Sequence, residues 1–207
     1  MAMIRRVGLS DKHDRKVEAI GKRYRSLSET DIRAMALLAV KDFDTAIMRV
    51  SPQAAEDARI RYYAAIWTLN HGTLLGSFAE ENAAGNYLQR LCAAAIGQIP
   101  HWGQYGQFEI NVQGTPVKVT RTRAIEGPHS AFRFEALDTN APFCVNTGVL
   151  EATFGFPPFH VERVVTAFCE KQLAASAVAL DPSRHDEVQR RYRFWQCQKH
   201  QNRNSQV

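Results

Sequence analysis

Apolar residues at Ile32, Met35, Ala36, Ala39, Val40, Phe43, Ile47 and Val50 recur at helical spacing. Arg33, Lys41, Asp42 and Asp44 fill the opposite face, so one amphipathic helix is expected here. Ser26-Leu27-Ser28-Glu29 has the Ser-x-x-Glu form of a capping box and sets its start. The next stretch, 51–69, opens with Ser51 as cap and Pro52 in the first turn. Its second half, Tyr62-Tyr63-Ala64-Ala65-Ile66-Trp67, is apolar on nearly every side. One buried face cannot accommodate such a helix, so it is expected at the centre, ending at Asn70-His71-Gly72. A second Ser-x-x-Glu, Ser77 to Glu80, predicts a third helix with Ala84, Tyr87, Leu88, Leu91, Cys92, Ala95 and Ile96 on one face. Gly97 and Pro100 would stop it. Upstream, 11–25 is charged, with Val17 and Ile20 its main apolar residues, and reads as a surface helix. Residues 1–10 read as a flexible lead.

At His101 the period changes. Phe108, Ile110 and Val112 alternate with Glu109, Asn111 and Gln113. Val117 and Val119 alternate with Lys118 and Thr120, and Phe132, Phe134 and Ala136 with Arg133 and Glu135. Turns are expected at Gly114-Thr115-Pro116, Gly127-Pro128 and Asp138-Thr139-Asn140, and another strand or two within 142–150. Connections this short allow only an antiparallel meander, expected to keep one wet face. After the aromatic loop Phe154 to Phe159, helical spacing returns at Val161, Val164, Val165, Phe168, Cys169 and Leu173. A last helix begins near Ser183, with Val188, Tyr192 and Trp195 as its stripe. The predicted class is α+β: an N-terminal three-helix layer (26–100), an antiparallel meander of about four strands (101–153) and two C-terminal helices (159–200). All are expected to share a single core in one domain over 1–207, with 1–10 and 201–207 flexible.

Composition changes this picture little: 45% hydrophobic and 23% charged residues suit an ordinary globular chain of 207 residues. No stretch approaches the apolar length of a membrane span, and the N-terminus lacks the apolar region of a secretory signal. Cys92, Cys144, Cys169 and Cys197 form no Cys-x-x-Cys pair, so a reduced, cytoplasmic protein is expected.

Charge placement says more. Residues 1–25 hold eight Lys/Arg against three Asp/Glu, and 188–207 hold five basic residues and no acid; the body between them, with 13 basic and 18 acidic residues, is acidic. Basic ends can hold an anionic partner or fold back on the acidic body.

Motifs for chemistry are sparse. His101, Arg121, Arg123, Glu126, His129 and His160 cluster around predicted strand ends and turns, where a His–carboxylate pair or an arginine pair holding an anion could work. No spacing forces them together, and Arg121 and Arg123 could equally pair with Glu109 or Glu135 across the sheet. Cys197-x-x-His200 lacks the second pair a zinc site needs, and Gly72 to Ser77 lacks the spacing and lysine of a P-loop. No metal or cofactor is expected. Arg190, Arg191, Arg193, Trp195 and Lys199 interleave bases and aromatics as phosphate contact and base stacking require, while Phe156 and Phe159 offer an aromatic surface. Three readings follow. The first is a non-catalytic, regulatory interaction protein of bacterial type, binding a protein partner. The second is a nucleic-acid binder using 1–25 and 188–207. The third is an enzyme using the 101–160 residues.

Overall fold

The computed structural model describes residues 11–204; the expectations for 1–10 and 205–207 lie outside the described residues. The class is α+β. Two compact units meet in sequence between Cys92 and Ala93.

The first unit is helical: α1 (Asp11–Tyr24), α2 (Glu29–Met48), α3 (Pro52–Leu69) and α4 (Ala84–Leu91). Helix α3 packs on the other members of the unit, and Tyr62 through Trp67 are all buried, as an all-round apolar helix requires. Its close approach to α1 depends on Gly21, where a Cβ would lie 2.3 Å from the Trp67 ring. Thr68 Oγ1 sits there too, 3.2 Å from Gly21 O.

Two starts differ from the sequence reading. Helix α2 is capped by Ser28, not Ser26: its hydroxyl accepts from Asp31 N, and Asp31 reaches back to Ser28 N. Asp31 stands at the third helical position, which the Ser26–Glu29 spacing missed. Ser77 starts no helix; its hydroxyl donates to Leu74 O and receives Asn70 Nδ2. With Ser77 held in the turn after α3, helix forms only from Ala84 and stops at Leu91, short of Gly97.

The second unit holds the sheet β1 (Gly106–Val112), β2 (Thr115–Arg123), β3 (Ser130–Ala136) and β4 (Val149–Phe154), antiparallel throughout in the order β1-β2-β3-β4. The first hairpin turns at Gln113-Gly114, both at positive φ, so Thr115 and Pro116 belong to β2 rather than to the turn. One face carries Phe108, Val119, Phe134 and Phe154; Phe168 of α5 (Val161–Ser176) stacks on the last two. The other face carries the row Glu109, Lys118 and Glu135, and it is wet only in part: Glu151 and Thr153 are exposed, but this row is covered. Helix α6 (His185–Asn204) covers it with Trp195, Arg191 and Lys199, leaving Lys118 and Glu135 under a tenth exposed.

Candidate functional site

Helix α1 sorts its residues by side. His13, Val17 and Gly21 are buried, with Ile20 and Tyr24 half-buried beside them. Lys12, Arg15, Lys16 and Arg23 are exposed and fall within one helical stripe, Ala19 lying between them. Lys22, exposed beside Arg15 at the flank of that stripe, is tied to Glu18 at 2.8 Å. Burial holds the His13 imidazole below its ordinary pKa, outweighing the pull of Glu56 3.4 Å away. The stripe therefore rests on a packed underside.

Cations elsewhere in this unit are mostly engaged. Arg33 pairs with Glu29 and lies over the Tyr87 ring. Arg61 reaches Asp42 at 2.7 Å, Arg59 reaches Glu56 at 3.0 Å, and Arg25 caps the Trp67 ring. Lys41 and Arg49 are exposed. Arg49, with Thr45, Ser51, Asp57 and Arg61, lines a groove of about 390 Å³ beside the α2–α3 turn.

In the second unit the basic C-terminal cluster divides in two. Arg191 bonds Glu135 at 3.1 Å and Glu187 at 3.0 Å and donates to the carbonyls of Ala136 and Gly148. Trp195 is fully buried and donates to Glu109, as does Lys199. These three hold α6 to the sheet. Arg190, Arg193, Tyr192 and Phe194 point outward, Phe194 being 62% exposed. Phe156 is half-buried edge-on to Trp102, and Phe159 is exposed with the Arg163 guanidinium over its ring.

The residues considered for catalysis meet only in part. Arg121 is fully buried on the apolar face, opposite the side bearing Glu109 and Glu135, so the cross-strand pairing expected for it does not form. It donates instead to Ser130 Oγ, His101 O and Arg123 O, and lies against the Trp102 and Phe132 rings. Glu126 accepts from the Tyr105 hydroxyl and from Ala124 N. Arg123, His101, His129 and His160 are exposed. The stripe on α1 was the feature sequence reasoning passed over. Its signal is present in the sequence, since 12, 15, 16 and 23 share one helical face, but total charge over 1–25 does not resolve it.

Residues 28–91, from the α2 cap to the end of α4, match the family model of the KlcB N-terminal DNA-binding domain. Two curated relatives from Escherichia coli, both called Protein KlcB, are similar. One is 43% identical over 116 residues, 56% of this chain and 29% of its own length. The other is 36% identical over 118 residues, 56% of this chain and 25% of its own length. The chain thus matches between a quarter and a third of either relative. No solved structure matches.

Proposed function

We propose that this chain is a DNA-binding regulatory protein whose helical unit meets the duplex. The match of 28–91 to a DNA-binding domain family carries the reading. It favours the nucleic-acid reading over the protein-partner reading that the sequence ranked first.

Charge says which residues would do the holding. The matched stretch has six basic and eight acidic residues, so it supplies little net attraction to phosphate. The stripe of Lys12, Arg15, Lys16 and Arg23 lies just outside it, on a helix packed against α3. We assign these four, with exposed Lys41 and Arg49, to the phosphate backbone, where contacts position the protein without reading sequence. Arg190 and Arg193 form a second, smaller basic surface on the other unit.

Fluorescence anisotropy with a labelled duplex tests this. Binding that weakens linearly in log affinity against log salt is expected. A chain that binds no duplex at about 50 mM salt, where phosphate contacts are strongest, overturns it.

A further inference from the structure

The two edges of the sheet are treated differently. At the β1 edge, Ala94 N donates to Tyr105 O and Gly97 N to Gln107 O, so the preceding chain covers its start. At the β4 edge no comparable bond occurs among the described residues. Among the described residues, the backbone of 150–154 hydrogen-bonds only to β3. Its register with β3 runs from Val149 to Phe154 without a bulge. The strand reads Val-Leu-Glu-Ala-Thr-Phe: no proline, no lysine, and one charge. Native sheets blunt open edges with lysine, proline, bulges or covering segments, because unpaired amides and carbonyls recruit another strand. Of the charged side chains that also serve this purpose, this edge carries only Glu151, and it has none of the other devices. Glu151 is largely exposed, its side chain 72% so, and Thr153 is exposed.

We propose that β4 pairs antiparallel with β4 of a second copy of this chain, joining two four-stranded sheets across a two-fold axis. Opposed residues in such a pair must point to the same face, so the axis passes through a residue rather than between two. An axis at Glu151 sets the two carboxylates directly against each other, a destabilising arrangement. An axis at Ala152 avoids this and still pairs every residue from Leu150 to Phe154. Leu150 then faces Phe154 of the second copy on the apolar side, and Glu151 faces Thr153 on the other. A second copy thus fits this edge with apolar residues opposed on one face and no like charges opposed on the other. The pairing is independent of the DNA reading.

That register makes a signed prediction. Sedimentation velocity of the full-length chain over a micromolar range is expected to show a monomer–dimer equilibrium. T153E places a second carboxylate opposite Glu151 of the other copy, at two symmetry-related points, and is expected to weaken dimerisation by about tenfold or more. T153K meets Glu151 with a cation and keeps or tightens the dimer. E151Q/T153E removes the opposed carboxylate without setting a second cation beside Arg133, and restores what T153E removes. Both side chains are at the surface, and melting curves of each variant confirm that the fold survives. A monomeric wild type overturns the proposal, as does a dimer indifferent to all three changes. Loss of the dimer with T153K, or no rescue by the double variant, overturns the Ala152 register.

Discussion

Val50 carries the clearest residue-level tension in the chain. It sits just past the end of α2 with φ of 54° and is 69% exposed. Val50 N donates to Ile47 O and Ser51 N to Ala46 O, the paired bonds of a helix end that turns through the left-handed region. Glycine usually fills that place, and a β-branched residue is an outlier there. Its side chain packs on little, so the strain has no local compensation. V50G is expected to stabilise the helical unit by about 1 kcal/mol, after the extra freedom of glycine in the unfolded chain is subtracted. A urea melt should show a higher midpoint at unchanged slope; a lower midpoint contradicts the strain. His13 sets a second expectation. Its folded pKa lies below the unfolded value, so the unfolded chain binds the proton more readily. Stability should therefore fall as pH drops through the ordinary imidazole value of 6.5 and level off below the lowered folded pKa. H13Q, which cannot titrate, should flatten the pH dependence of the melting temperature between about pH 7.5 and 5. An unchanged slope would assign the titration to another group.

At the scale of elements, α6 shows what a helix can do for a polar sheet face. The row Glu109, Lys118 and Glu135 is hydrophilic by sequence, yet it is buried because α6 brings Arg191, Lys199 and the Trp195 indole to meet it. Removing one partner leaves the others buried and uncompensated. R191A is expected to cost about 3 kcal/mol by strand-face desolvation alone, read as a lower thermal midpoint. Changing Glu135 and Arg191 together to apolar residues of similar size should cost much less. This arrangement marks the limit of the sequence. Period-2 alternation located the first three strands closely, and helical spacing located α2, α3, α5 and α6. Alternation reports that a face is polar; it does not report that a helix 50 residues away carries the matching charges. The same blindness affected the helix starts. Two Ser-x-x-Glu matches were visible, but one serine lies two residues too early, and the other is held by Leu74 and Asn70 within a turn. A cap is decided by which backbone amides need a partner, and spacing alone does not say that.

For the whole molecule the question is where the positive charge goes. The two basic ends are equal in formal charge, yet the structure treats them differently. At the C-terminal end Arg191 and Lys199 are bound by Glu135, Glu187 and Glu109, leaving Arg190 and Arg193 as outward cations with described side chains. On α1 the four cations of the stripe face outward together. Among the described side chains, four outward cations on α1 thus stand against two on α6, and salt dependence can measure the difference. Each cation that displaces counterions from duplex DNA steepens the log–log slope by roughly 0.9. Reversing Lys12, Arg15, Lys16 and Arg23 to glutamate should therefore flatten the slope by up to roughly 3.6, while R190E/R193E should change it by at most roughly 1.8. Both sets lie at exposed positions, so melting curves should stay close to those of the parent chain. If the pair on α6 moves the slope more than the four on α1, the duplex lies against the sheet-bearing unit instead, and the assignment of the helical unit as the main phosphate surface is wrong.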